Sequence, residues 1–311
     1  MIPIITLEIH VQGKAPLDLG ANPGSALRGA LYSTLRLMYD TGQSVSSRKQ
    51  KDENPVAWLL ALEDRETSGG KDVPRPMAVR PPLSPPAEYL SFGLTFYGNG
   101  QEYIPMVLSA VHAMGLSGVG RGRQRFDVLR VEQVIDLSGK TIPLLENNRV
   151  HLDRLCSPPT TEDYQQAATL LAGRPLTVNF LTPARIVCEG HLCRQPHFRP
   201  WFQRLLERAR QIGELYTSSP PWIPFGDLLA AADEVRVADD QTRWIELRSG
   251  SRRQGKMLPA SGFAGAVTYT NLAPALLPWV LLGQGLQVGK NTIKGNGWYR
   301  IQQHFAPSTG F

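Results

Sequence analysis

Cysteine is scarce in this chain: Cys156, Cys188 and Cys193 are the only three in 311 residues. An odd number in so long a chain argues against a disulfide framework and fits a reducing, cytoplasmic setting. Long apolar runs are also missing, because no stretch approaches the ~20 uninterrupted apolar residues that a membrane-crossing helix needs. The opening MIPIITLEIHVQG alternates like a strand and carries neither a basic leader nor the apolar block of a secretion signal, so export is not expected. Acidic residues are in deficit, 27 against 33 Lys plus Arg, and the net charge of +6 fits a polyanionic partner without requiring one. With 42% hydrophobic and 19% charged residues the composition is that of a globular protein, and the length points to two domains.

Apolar periodicity divides the chain further. Ile5, Leu7, Ile9 and Val11 alternate with polar residues and predict a strand from about Ile4 to Val11. After Asn22-Pro23-Gly24, Ser25 is expected to cap a helix that turns Leu27, Leu31, Leu35 and Met38 inward and Arg28 and Arg36 outward. The stretch from about 42 to 86 is polar and then proline-rich, apart from a helical patch at Val56 to Leu62, and reads as an insertion or mobile loop. A strand at Tyr89 to Tyr97, a helix at Tyr103 to Met114, a glycine-rich loop and a strand at Phe126 to Val134 complete a first domain, 1–135. Residues 136–175 read as a connector with a short helix. A second domain, 176–311, restarts the pattern; its strongest helix, Phe198 to Tyr216, puts Phe202, Leu205, Leu206, Ala209, Ile212 and Leu215 on one face.

Each half ends alike, with an apolar helix, a glycine-rich basic loop and an amphipathic strand: IPMVLSAVHAMGLSGVGRGRQRFDVLRV and APALLPWVLLGQGLQVGKNTIKGNGWYRI. Strand, helix, strands, helix, loop and strand match the β-α-β-β-α-β unit, so the expected fold is α+β: two tandem ferredoxin-like (RRM-like) domains with antiparallel sheets. A dinucleotide site is excluded because its glycines follow a strand and open a helix, the reverse of the order here. Glycine at this density either turns backbone N–H groups outward as an anion nest or lets another segment come close. Arg121, Arg123, Arg125, Lys290 and Lys294, beside Gly295 and Gly297, add charge that suits phosphates.

At this point the sequence resembles the RAMP superfamily and, within it, the CRISPR endoribonuclease that processes repeat RNA. LRGAL after the first strand, the segment FGLTFYGNGQEYIPMVLSAVHAMGLSGVGRGRQRF, the LTPARI strand, and GFAGAVTYTNL through KGNGWYRI carry the likeness. It implies tandem ferredoxin-like folds and a basic surface for CRISPR precursor and mature guide RNA. It also implies metal-independent cleavage within the repeat by the ribose 2′-hydroxyl, with no cofactor, metal or membrane and with other CRISPR effector subunits as further partners. That family places a catalytic histidine on or just after the first helix, yet Ser25 to Lys51 contains none. The polar candidates there are Tyr32, Tyr39, Arg28, Lys49 and Lys51, and a Tyr32, Lys49 and Lys51 set is the one to weigh against solvated loop charges. His191, before the second domain's main helix, is the pseudo-symmetric alternative.

The run CEGHLCRQPH holds four zinc-type ligands within ten residues, Cys188, His191, Cys193 and His197, but spacing so short bends the chain severely, and thiols in a polar loop are the better reading. His10 falls on the polar face of the first strand, and His112 is expected to be partly buried on its helix. RWIELRSGSRRQGKMLPASGF predicts a hairpin whose Arg248, Arg252, Arg253 and Lys256 form an RNA-gripping arm. The competing reading is a noncatalytic RAMP subunit that binds guide RNA.

Overall fold

The computed structural model describes residues 1–39, 55–61, 73–120, 122–146, 149–251 and 256–302. In its first half, β1 (Ile4–Leu17) leads to α1 (Pro23–Tyr39), then β2 (Met77–Arg80), β3 (Ala87–Tyr97), α2 (Ile104–Ser117), β4 (Phe126–Ile135) and β5 (Lys140–Pro143). The sheet order is β2-β3-β1-β4-β5, and all pairs are antiparallel. That is the ferredoxin-like order with one strand added beside β4. Register follows burial: Leu7 faces Leu94 and Ile9 faces Phe92, so the alternation of β1 puts its apolar residues on the helix-covered side.

The span expected to be an insertion holds parts of the core. Val56, Trp58, Leu59 and Leu60 are buried around a π-helical turn, Ala57–Ala61, and β2 is the sheet's own second strand, with all four residues buried. Trp58 packs on Tyr103 and edge-on against Tyr216, a residue of the second half. The start of the first helix also differs from expectation. Asn22, not Ser25, caps α1: its Oδ1 accepts the Ser25 N–H at 3.1 Å, satisfying an otherwise orphaned amide.

A hairpin of β6 (Leu145–Glu146) and β7 (Arg149–Val150) and helix α3 (Thr161–Leu171) join the halves. Thr160 and Asp163 close a reciprocal capping box at the start of α3. The second half runs β8 (Leu176–Ala184), the hairpin β9 (Ile186–Cys188) and β10 (His191–Cys193), α4 (Phe198–Tyr216) and α5 (Phe225–Asp233). It continues with β11 (Arg236–Asp240), β12 (Arg243–Ile245), the hairpin β13 (Arg248–Ser251) and β14 (Lys256–Pro259), then β15 (Gly262–Thr270), α6 (Leu277–Leu286) and β16 (Tyr299–Gln302). Its sheet order, β11-β15-β8-β16 with β12 also on β15, repeats that of the first half. The core here is aromatic: Phe180, Trp201, Phe263 and Tyr299 meet with centroids 5.0–5.8 Å apart.

The two halves meet through polar groups as well as apolar ones. Helix α6 ends at the junction, where its last carbonyls have no intrahelical partner. Arg80 donates to the Gln284 carbonyl at 2.9 Å, Tyr97 Oη to those of Gly285 and Leu286 at 3.3 Å, and Arg208 Nε to Leu286 at 2.8 Å. Arg80 also grips Asp136 through two bonds of 2.7 Å, and Thr6 adds a third bond to that carboxylate at 2.8 Å. Burial alone would push the Asp136 carboxyl up. The charge and hydrogen bonds of Arg80 outweigh that and hold it below the usual carboxylate range.

Candidate nucleic-acid interface

The glycine-rich segment after α6 leaves this capped end and crosses to the first half. Gly295 and Gly297 have φ of +88° and +69°, a left-handed backbone that β-carbons disfavour. Both residues are buried, and a methyl group on Gly295 would press into Pro81 and the Val79 carbonyl. The Gly295 N–H goes to Thr292 and that of Gly297 to the Pro183 carbonyl at 3.0 Å. Thr182 Oγ1 donates to the Gly295 carbonyl at 2.7 Å, and Asn296 donates to Ala260 at 3.1 Å. The expectation that Gly295 and Gly297 hold RNA phosphates is therefore corrected. Their amides are spent within the fold, and the glycines serve close approach of chain to chain.

The same loop, at Lys294, also lies against the start of α1. A Cβ on Gly24 would collide with the Lys294 carbonyl oxygen, so glycine there lets the loop lie flat on the helix. Asn22, the cap of that helix, also reaches the Arg248 carbonyl with its Nδ2, 3.5 Å away. The loop before it is tied to the other glycine-rich segment: Gln124 accepts the Asp18 N–H at 2.9 Å and donates to the Pro16 carbonyl at 2.7 Å. That segment is a tight turn in which Val119 and Gln124 exchange both backbone bonds at 2.9 Å. Both basic loops and the root of the hairpin arm thus gather at the β1–α1 junction, although Gln124 is 106 residues from Asp18, Arg248 is 226 from Asn22 and Lys294 is 270 from Gly24.

Around this junction Arg123, Arg125, Arg248 and Lys290 are exposed, and Lys294 is half-buried. On α1, Arg28 and Arg36, one turn before Tyr32 and one turn after, lie over its ring at 5.1 and 5.8 Å from the centroid. Tyr32 is half-buried against the core, and Arg28 donates to the Leu60 carbonyl at 2.6 Å. Lys49, Lys51, Arg121, Arg252 and Arg253 lie outside the described residues; for Lys256 only the backbone, in β14, is described. A cleft of about 200 Å³ beside β1, β2 and β3 is lined by Glu8, Ser91, Arg80, Trp298 and Arg300.

His191 sits apart from α1, exposed on the β9–β10 hairpin, with Nδ1 3.0 Å from the Glu189 carbonyl. His197 is exposed beside Gln195, and His112, expected to be partly buried, is exposed on α2. His10 pairs with Glu132 at 3.1 Å, with Arg130 3.4 Å from the same carboxylate oxygen. Cys188 and Cys193 are free thiols, and burial pushes that of Cys193 up. Among the described residues no three of His, Cys, Asp or Glu gather to hold a metal ion, and no described helix is long and apolar enough to cross a membrane.

At the hairpin root, Trp244 stacks under Arg194 at 5.1 Å and donates to Glu246 at 2.7 Å. Ser261 donates to the same carboxylate, and these bonds hold Glu246 below the usual range. Sequence reasoning found the arm but missed this brace, whose signal was the alternation Trp244, Glu246 before a serine that only folding brings near.

Two ferredoxin-like domains stand in tandem, with glycine-rich basic loops converging on the β1–α1 junction. Residues 178–299 match the family model for CRISPR-associated endoribonuclease Cas6, and residues 2–155 match one described as an N-terminal domain. No curated protein sequence matches this chain. Among solved structures it is similar to Thermus thermophilus Cas6, at 15% identity and a TM-score of 0.58 over 97% of this chain and 99% of that one. A Cas6 product complex matches at 18% identity and 0.55, over 97% and 100%. A partial Cas6-RT-Cas1–Cas2 complex matches at 14% and 0.62, over 98% of this chain and 47% of that chain.

Proposed function

We propose that the chain binds CRISPR precursor RNA and cuts it within the repeat without a metal ion, yielding mature guide RNA. The ribose 2′-hydroxyl at the cut attacks the adjacent phosphate and expels the 5′-oxygen, leaving a 2′,3′-cyclic phosphate and a 5′-hydroxyl. Such a reaction needs groups that move two protons and a cation for the phosphorane. The observation that carries the reading is the meeting of both basic loops and the arm at the start of α1. Tyr32 is the assigned proton-transfer residue, with Lys49 and Lys51 as its partners and His191 as the alternative. Arg28, Arg123, Arg125, Arg248, Lys290 and Lys294, with Arg121, Arg252, Arg253 and Lys256, hold the backbone. We read 1–135 and 176–311 as the two RNA-facing domains and 136–175 as the connector, and place the work in the cytoplasm, with other CRISPR effector subunits as further partners.

The test is cleavage of a labelled repeat RNA in EDTA, with a 2′-deoxy substitution at the scissile nucleotide as control. Cleavage in EDTA that the deoxy substitution abolishes supports the reading. Dependence on magnesium, or cutting of the deoxy substrate, refutes the mechanism. The lack of histidine between Ser25 and Lys51 favours one competing reading, a subunit that binds guide RNA without cutting. Tight binding with no cleavage selects it.

A further inference from the structure

Four arginines of the second half, Arg199, Arg204, Arg210 and Arg236, each have a carboxylate within 4.0 Å. Arg194 has a ring instead. It follows β10 directly, is exposed, and lies over Trp244 at 5.1 Å from the centroid; among the described residues no carboxylate forms an ion pair with it. The ring beneath is braced. Trp244 is half-buried against the core and donates to Glu246 Oε1 at 2.7 Å, while the buried Ser261 donates to Glu246 Oε2 at 2.8 Å. Both oxygens of that carboxylate thus serve the brace. Arg185 donates to the Ser261 carbonyl at 3.3 Å, and the Lys290 N–H donates to the Arg185 carbonyl at 3.0 Å, which ties the brace to the second glycine-rich loop. Arg194 is therefore held beside the proposed interface. Trp244 stands four residues before Arg248, whose carbonyl meets Asn22 at the β1–α1 junction. Four residues span at most ~14 Å, so an RNA strand leaving that junction along the arm root reaches Arg194 within a few nucleotides.

We propose that Arg194, carried on Trp244, binds a backbone phosphate of the repeat RNA a few nucleotides from the cut, so that the end of the β9–β10 hairpin forms the outer margin of the RNA interface. The inference rests on the reading that the chain binds repeat RNA at the β1–α1 junction. An arginine loses rotamer freedom when it takes a ligand, and one already resting on a ring packed against the core loses less. Its charge also has no ion pair to break first. The contact neutralises a phosphate that does not react, so it is made equally before and during cleavage. It holds the substrate without lowering the barrier.

Equilibrium binding of the full chain and of Arg194→Gln to a labelled repeat RNA, 2′-deoxy at the scissile nucleotide, tests this across a salt series. Loss of one phosphate contact is expected to reduce the slope of log affinity against log salt by about 0.7–0.9, so that the variant's deficit narrows about threefold between 50 and 200 mM salt. A scan of single methylphosphonate linkages, each removing one backbone charge, is expected to find a linkage a few nucleotides from the cut at which Arg194→Gln adds no further loss. With the cleavable RNA at saturation, single-turnover cleavage by the variant stays within about twofold of wild type. Wild-type affinity and slope in Arg194→Gln overturn the assignment. So does a loss of affinity at unchanged slope, which marks a structural role, or a scan with the same added loss at every linkage. Slower cleavage at saturation replaces the binding role by a catalytic one and overturns it too. A wild type that binds but does not cut removes the cutting reading, and the slope and scan still decide the role of Arg194. A wild type that does not bind repeat RNA overturns both.

Discussion

Replacing Arg80 by methionine removes the central member of the junction between the halves. Its guanidinium is 3% exposed and the Asp136 carboxylate 12%, so the pair works where water screens little. The substitution strands that carboxylate with Thr6 as its remaining hydrogen-bond donor and bares the Gln284 carbonyl at the end of α6. Breaking one side of a buried pair costs ~3–5 kcal/mol. At roughly 2–4 °C per kcal/mol the thermal midpoint then falls by on the order of 10 °C. The double variant Arg80→Met/Asp136→Leu leaves no unpaired charge and is expected to recover much of the loss. Circular dichroism melts of the four proteins in a double-mutant cycle give the coupling. A single variant within about 1 kcal/mol of wild type, or a double variant no better than the single, would show that the pair does not hold the junction.

The remaining predictions concern the same junction. Gly24→Ala is expected to destabilise the chain markedly, because the new methyl meets the Lys294 carbonyl, whereas Gly29→Ala, with open space around it on the same helix, stabilises by about 0.5–1 kcal/mol; melts compare them directly. Asn22→Ala removes the cap of α1 at a cost of ~1 kcal/mol and loosens the hairpin root, read as a lower urea midpoint. The Asp136 carboxyl is held below its unfolded value, so the native state binds fewer protons and its contribution is complete above about pH 4, where the unfolded group titrates. Stability should drop as pH falls through the depressed folded value, and urea midpoints between pH 5 and 3 should fall less steeply in Asp136→Asn. Arg248→Ala, and Arg252→Ala with Arg253→Ala, should weaken RNA binding and reduce the slope of log affinity against log salt by about 1 for each phosphate no longer neutralised; unchanged slopes remove the arm from the interface.

The repeated fold was legible because its determinants are local. Strands β1, β3 and β15 alternate, α4 has a clean apolar face, and each glycine-rich loop marks the passage from helix to strand. Strand β2 was not, since it is four residues, MAVR, set among prolines, and its pairing with β3 rather than its pattern makes it a strand. The capping role of Asn22 was obscured by Ser25, an equally good capping type three residues on. Partnerships such as Arg80 with Asp136 and Gln284 join residues 56 and 204 positions apart, which no local pattern announces. For the candidate site, the basic loops and arm were visible as composition and their convergence was not. The glycines offered two readings, and only packing against Val79, Pro81 and Lys294 decides for close approach.

The capping of α6 bears on how the chain can be divided. A duplicated fold invites the idea of two exchangeable modules, each able to live alone. Here the final turn of the second copy is finished by an arginine and a tyrosine that the first copy supplies, and the segment running on from that turn lies across the first copy's opening helix. A cut between the halves therefore does more than separate neighbours. It leaves one piece with bare carbonyls at a helix end and the other with a buried arginine lacking one of its acceptors, so the inheritance of the two copies has become joint.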